Sequence, residues 1–259
     1  MLKILALGDV VSGEGVSYLE HGGRLRKLRE RLGADLVIVN GENSADGNGI
    51  TPESATRLYD CGADVITGGN HTWRRKEIHS FLDDEDFIIR PLNYPADAAG
   101  MGYVIVNVSS SRVLVLNVAG NVYLEPVTPP AEAVERVLKL EKGKYDLAVC
   151  DIHAEATSEK LFFGRYFDGR IAAVFGTHTH VPTADIQILP GGTGYITDLG
   201  MCGSQNGILG VKTECIIHKF TVRTPVKFEP ATGNPELNGA LFTIDEQTHR
   251  CVKAERISE

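Results

Sequence analysis

The chain has 259 residues, 42% hydrophobic and 23% charged, which excludes a disordered or fibrous protein and allows one large α/β domain or two small ones. Its formal charge of −8 argues against a protein that coats duplex nucleic acid, because such binding draws on clustered Lys and Arg to displace counterions. A small phosphorylated substrate stays open, since metal ions can reverse the sign of the field inside one cleft.

Cys61, Cys150, Cys202, Cys215 and Cys251 are odd in number, widely spaced and form no Cys-x-x-Cys, the pattern of a reduced intracellular protein with cysteines as small core residues. Met1-Leu2-Lys3-Ile4-Leu5 enters a strand-like segment without a signal-peptide pattern, and no apolar run reaches membrane-spanning length. These features predict a cytoplasmic protein with no membrane partner.

In chain order, Leu2 to Leu7 is an apolar run that breaks at Gly8-Asp9, a buried strand handing over to a loop. Leu25, Leu28 and Leu32 recur at helical spacing, and Gly33 ends that helix as a C-terminal cap. Leu36 to Val39 repeats the strand signal and stops at Asn40-Gly41-Glu42-Asn43. After a loop from Ser44 to Gly49, Thr51-Pro52-Glu53 opens a helix that runs to Gly62. Val65-Ile66-Thr67 then ends at Gly68-Gly69-Asn70-His71. Three β-loop-α units in succession predict a parallel sheet with helices on its faces.

A helix is expected over Arg74 to Leu82, with Arg74, Arg75 and Lys76 read as its solvated start ahead of the alternative that they meet a phosphate. Strands are expected at Phe87 to Ile89, Gly102 to Val108 and Arg112 to Val118, the last two forming a hairpin. Pro129-Pro130 opens a helix, Leu147 to Cys150 leads to Asp151-Ile152-His153, and a short helix covers Ser158 to Phe163. The apolar run Ile171 to Phe175 stops at Gly176-Thr177-His178-Thr179-His180. Beyond it, Ile186 to Leu189, Gly194 to Thr197, Cys215 to Val222, Ala240 to Ile244 and Arg250 to Arg256 read as strands. The expected architecture is α/β: a parallel or mixed sheet from the N-terminal two-thirds, packed on a more antiparallel C-terminal sheet, in a single domain over residues 1–259. Edge strands in the C-terminal half would permit a homo-oligomer.

Five strand-like runs end in metal-capable side chains: Asp9, then Glu42 and Asn43, then Asn70 and His71, then His153, then His178 and His180. Ligands collect at the carboxyl ends of strands in open α/β sheets. One such residue beyond a strand is unremarkable, and a histidine pair alone is more often hydrogen-bonded surface than ligand. Recurrence at five ends is what carries the inference. Carboxylate, amide and imidazole together suit Fe, Mn, Zn or Ni better than a thiolate site or a calcium cage. Six to eight such groups exceed the needs of one ion and point to two, roughly 3.5 to 4 Å apart, a pairing that serves displacement at phosphorus.

The ordered set Gly8-Asp9, Gly41-Glu42-Asn43, Gly69-Asn70-His71, His153 and Gly176 to His180 resembles the calcineurin-like metallophosphoesterase superfamily, and more closely its YmdB-like branch. Asp9 is followed by Val10-Val11 where the wider superfamily has Asp-x-His, and Gly41-Glu42-Asn43 stands where Gly-Asp-x-x-Asp is common. Both departures are those of the branch. The resemblance implies a four-layer α/β/β/α sandwich and hydrolysis of small cyclic nucleotides, 2′,3′-cyclic ahead of 3′,5′-cyclic. It further implies that Asp9, Asn43 and His180 hold one metal and Asn70, His153 and His178 the other, with Glu42 shared. Two divalent or mixed-valence ions are implied, Fe or Mn first and Zn next. A hydroxide between two such ions is available near neutral pH to attack phosphorus, and His71 is the expected general acid.

Asp151 and Glu155 flank His153 and are candidates to orient it, or simply helix-start carboxylates. His218 reads as a sheet residue facing solvent or a partner. Gly13-Glu14-Gly15 is followed by Tyr18, so the dinucleotide fingerprint is not met. The competing functions are a metal-dependent phosphomonoesterase, such as a nucleotidase or protein phosphatase, and a regulatory binding protein with a relic metal site.

Overall fold

The computed structural model describes residues 1–259. In the first half, the strands are β1 (Leu2–Leu7), β2 (Asp9–Val10), β3 (Leu36–Asn40), β4 (Val65–Thr67), β5 (Ile88–Ile89), β6 (Tyr103–Val108) and β7 (Ser111–Ala119). Those that follow are β8 (Leu147–His153), β9 (Ala173–Thr177), β10 (Gln187–Ile188), β11 (Gly194–Ile196), β12 (Met201–Ser204), β13 (Pro235–Glu236), β14 (Asn238–Ile244) and β15 (Cys251–Ser258). The α-helices are α1 (Ser12–Glu20), α2 (Arg24–Leu32), α3 (Pro52–Cys61), α4 (Ile78–Asp84), α5 (Pro130–Leu140), α6 (Thr157–Tyr166) and α7 (Thr213–Thr221).

Two six-stranded sheets carry the fold, ordered β15-β14-β1-β3-β4-β5 and β10-β11-β9-β8-β7-β6. Alternate side chains explain why the strands read as unbroken apolar runs. Along β1, Leu5 and Leu7 pack with Val16, Leu25 and Leu58 of the helices, while Ile4 and Ala6 pack with Val113, Val149 and Phe175 of the other sheet. Both faces of each sheet are therefore buried, and period-two polarity disappears. On the far side of the second sheet, Leu114, Leu116 and Val174 meet Val134, Val137 and Phe163 of α5 and α6. The layers are α/β/β/α.

The sheets divide the chain differently from the N-terminal and C-terminal split that the sequence suggests. β14 and β15 do not form a separate sheet; they extend the first one, with β14 antiparallel to β1 from Leu2↔Ile244 to Leu7↔Gly239. The second sheet is parallel across β7, β8, β9 and β11, with antiparallel strands β6 and β10 at its edges. An exposed strand edge is satisfied by whichever strand reaches it, and strand polarity alone does not say which sheet that is. The hairpin of β6 and β7 forms with Val108 opposite Ser111.

Two segments differ locally from expectation. Where a strand is expected over Cys215 to Val222, the chain forms helix α7 (Thr213–Thr221), with Ile217 and Phe220 exposed and His218 bonded to Thr224 Oγ1 at 2.8 Å. Its aliphatic residues suited either state, and neither large sheet reaches it. The helix expected from Arg74 begins at Ile78, because residues 69–75 make tight turns: Thr72 Oγ1 accepts from Gly69 N at 2.9 Å and Arg74 N donates to His71 O at 3.0 Å. All five cysteines are free and all but Cys215 are buried, and no helix is long and apolar enough to cross a membrane.

Candidate metal centre

The carboxyl ends of β3 and β4 in one sheet and of β8 and β9 in the other point the same way, so the residues after them meet. Asp9 joins from β2, which pairs with β12 at Asp9↔Met201. Asp9, Glu42 and His153 have no exposure, and Asn43 is buried beside them.

His153 Nε2 is the focus of one group. It lies 3.2 Å from Glu42 Oε1, 3.0 Å from Asn70 Oδ1 and 3.0 Å from His178 Nδ1. The ligand atoms of Glu42, His153 and His178 all fall within 4.8 Å of one another. An imidazole nitrogen carries at most one proton, so a single N–H cannot serve three acceptors. Once His153 gives up its proton, lone pairs converging on one point form a donor set that could take a cation.

The second group gathers at Asp9. Its Oδ1 is 3.7 Å from His180 Nε2 and 4.0 Å from His153 Nδ1, and it has no hydrogen-bond partner although buried. A buried carboxylate oxygen left unpaired is costly, and a metal ion would satisfy it. Asn43 Nδ2 donates to Glu42 Oε1 at 2.9 Å and faces His180 Nε2 at 3.3 Å. Exchange of its amide N and O about the last torsion would turn Oδ1 toward those same atoms, the orientation a ligand requires.

Around this set the backbone is shaped to fit. A Cβ on Gly69 would fall 2.2 Å from Glu42 Oε2 and 2.4 Å from His153 Nε2, so only glycine lets Asn70 approach. A Cβ on Gly176 would lie 1.8 Å from Thr197 O. Past it, His178 and His180 both take positive φ, 99° and 63°, a conformation that costs L-residues energy and turns the imidazoles inward.

Electrostatics follow from this packing. Burial opposes charge on Glu42, but His153 and His71 outweigh it and hold the carboxyl well below its usual range. Burial likewise opposes a charged His153, yet Glu42, Asp9 and Asp151 raise it to about 9. His178 is pushed down to about 3 by burial and by its neighbour His153. Burial raises Asp9, against the pull of His180 and His153. A neutral His178 beside ionised Glu42 is a ready ligand pair.

Partners behind the cluster orient it. His178 Nε2 meets Glu155 Oε2 at 3.0 Å, which leaves Nδ1 facing inward. His153 Nδ1 contacts Thr177 Oγ1 at 2.9 Å, and that hydroxyl donates to Asp151 Oδ1 at 2.7 Å. Asp151, raised to about 6 by burial, also accepts from Thr67 Oγ1 at 2.5 Å and Asn40 Nδ2 at 3.0 Å. Carboxylates behind ligand histidines fix tautomer and ring orientation. Asn40, Thr67, Thr177, Lys160 and Asp198 escaped the sequence reading. Asn40 and Thr67 are polar ends of apolar runs, a signal that could have found them, whereas Lys160 lies within a helix and nothing in its neighbours marks it as buried.

His71 sits at the rim. Its backbone N–H donates to Glu42 Oε2 at 2.8 Å, and its Nδ1 is 3.2 Å from both Asn43 Oδ1 and Glu42 Oε1.

A two-sheet α/β/β/α sandwich with carboxylate, amide and imidazole groups at the strand ends is a metallophosphoesterase-type fold. The chain belongs to the YmdB-like protein family, whose sequence profile matches residues 5–257. It is 43% identical over 256 residues to a 2′,3′-cyclic-nucleotide 2′-phosphodiesterase of Bacillus subtilis (strain 168), covering 99% of this chain and 96% of that protein. A hypothetical protein from Thermus thermophilus superposes with a TM-score of 0.93 at 36% identity, covering 100% of this chain and 99% of that one. A crystal structure described as a novel phosphatase from Mycoplasma pneumoniae gives a TM-score of 0.92 at 35% identity, covering 100% and 93%.

Proposed function

We propose that this protein is a metal-dependent phosphodiesterase that hydrolyses small cyclic nucleotides, 2′,3′-cyclic in preference to 3′,5′-cyclic. The observation that carries the reading is the buried convergence of Glu42, Asn70 and His178 on His153 Nε2, beside the unpaired oxygen of Asp9. The name of the Bacillus subtilis relative supports the substrate class.

In this reading Asp9, Asn43 and His180 would hold one metal ion, Asn70, His153 and His178 a second, with Glu42 available to both. Bound there, Fe, Mn or Zn ions supply charge stabilisation for the phosphoryl oxygens and an activated water near neutral pH. The remaining work belongs to the chain. The N–H of His71 fixes Glu42 Oε2, so the carboxylate cannot rotate away from the cluster. With its ring protonated, His71 donates from Nδ1 to Glu42 Oε1 at 3.2 Å. In that imidazolium Nε2, which bonds to nothing in the chain, carries the second proton and is left to deliver it to the departing ribose oxygen, the ring ending neutral. An alkoxide leaves poorly without such a donor.

The test is metal analysis of the purified protein joined to a hydrolysis panel: bis-esters against mono-esters, and 2′,3′-cyclic against 3′,5′-cyclic nucleotides. Bound transition metal with turnover of 2′,3′-cyclic nucleotides is expected. Faster turnover of mono-esters would install the phosphomonoesterase reading, and absence of metal and activity after reconstitution with Fe or Mn would defeat both.

A further inference from the structure

An open cleft of about 640 Å³ adjoins the cluster at Asn70, a volume in the range of small-molecule sites. Its walls include Trp73, Arg74, Tyr94, Tyr123 and Glu125. Trp73 and Tyr94 lean on each other with ring centroids 4.7 Å apart, and the indole N–H is held by Ala99 O at 3.2 Å. Tyr123 is 87% exposed and has a positive φ of 65°, unusual for an aromatic residue. Its loop is nonetheless clasped at both ends. Asn121 N and Val122 N donate to the Glu159 carboxylate at 2.9 and 3.3 Å, and Asn121 Nδ2 donates to Val127 O at 2.8 Å. A large ring is thus held out over the cleft by a built support. The Arg74 guanidinium makes no hydrogen bond or ion pair, whereas that of Arg75 is bonded to Asn48 O at 3.0 Å.

We propose that this cleft binds the nucleoside part of the substrate, with the base stacked on Tyr123 beside the Trp73–Tyr94 pair and Arg74 meeting the ribose phosphate edge. The assignment rests on the cyclic-nucleotide reading. Asn70 connects the two: its Oδ1 faces His153 Nε2 at 3.0 Å while the same residue lines the cleft, so a phosphate at the cluster leaves its ribose and base on this side. Every base has a π face, so stacking on an aromatic ring favours nucleosides as a class without choosing among bases.

Trp73 is the only tryptophan in the chain, so its fluorescence reports on this cleft alone. The metal-loaded protein is titrated with adenosine 3′-monophosphate and, separately, with inorganic phosphate. Saturable quenching by the nucleotide and none by phosphate is expected. Tyr123→Ala should weaken nucleotide binding roughly tenfold, the loss of one stacked base, and Tyr123→Phe should restore it. Equal quenching by phosphate, or an unchanged constant in Tyr123→Ala, would overturn the assignment. Hydrolysis separates this proposal from the one beneath it. The wild type should show a KM about tenfold lower for adenosine 2′,3′-cyclic phosphate than for glycerol 1,2-cyclic phosphate, and Tyr123→Ala should bring that ratio towards one. If both esters are cleaved with equal KM, the cleft assignment fails and the phosphodiesterase stands. If neither is cleaved, the phosphodiesterase reading fails, and the fluorescence titration still decides the cleft.

Discussion

Replacing Lys160 with Met tests what holds the turn that carries His178 and His180. Lys160 is fully buried, and its ammonium donates to Thr177 O at 2.7 Å and to Asp198 Oδ2 at 2.7 Å. Asp198 also accepts the N–H groups of Thr179 at 3.1 Å and Gly200 at 2.8 Å. The pair therefore pins the backbone on both sides of His178, where φ is 99°. Methionine keeps most of the aliphatic stem and removes the charge. Truncating one member of a buried ion pair costs about 3–5 kcal/mol, because the other is left uncompensated. Two backbone donors still serve Asp198, so the lower end, about 3 kcal/mol, is expected. The turn can then relax the strain at His178 and His180, which is on the order of 1–3 kcal/mol each, and the imidazoles shift out of register. Urea denaturation of the metal-free protein measures the first effect, and titration against a chelator the second. We expect metal affinity to fall by at least about tenfold, in the range seen when groups that orient metal ligands are removed. The double variant Lys160→Met/Asp198→Asn should regain stability, since no charge is stranded, without regaining affinity. Stability within about 1 kcal/mol of wild type together with unchanged affinity would refute the reasoning.

Three further outcomes follow from the same geometry. Glu42→Gln should strip metal and activity together; a fully metallated, active variant, read by elemental analysis and turnover, would remove Glu42 from the site. His71→Ala should keep its metals and lose turnover mainly on esters with poor leaving groups; equal loss on an activated nitrophenyl ester would contradict its role as proton donor. In the metal-free protein His153 holds its proton up to about pH 9, against 6.5 for the unperturbed group. Its contribution to stability is complete below pH 6.5 and lost as pH rises to 9, with a slope of up to about 1.4 kcal/mol per pH unit. Metal binding must displace that proton, so metal affinity should climb across the same window. Denaturation and metal titrations between pH 6.5 and 9 check both trends, and His153→Asn should flatten the stability slope.

Much of the site was visible in the chain because it is local. A buried strand reads as an apolar run, and a candidate ligand follows closely on the polar residue that ends it, Glu42 after Asn40, Asn70 after Thr67, His153 after Asp151 and His178 after Thr177, so these stood out one strand at a time. The alternation of strands and helices through α3 likewise marked a parallel sheet. What no local pattern contains is which edge a later strand joins. β14 lies against β1 because the core between the sheets is completed there by Phe242 beside Phe175, rings 6.2 Å apart, and the pairing of β14 with β1 spans most of the chain. The same holds at the candidate metal centre. Sequence determined which side chains could bind a cation; tertiary structure alone brought Asp9 and Glu42 to opposite nitrogens of the His153 ring, put Lys160 and Asp198 behind the turn and stood Tyr123 over the cleft. Burial and pairing depend on neighbours distant in sequence, and those neighbours give each ionisable group its charge.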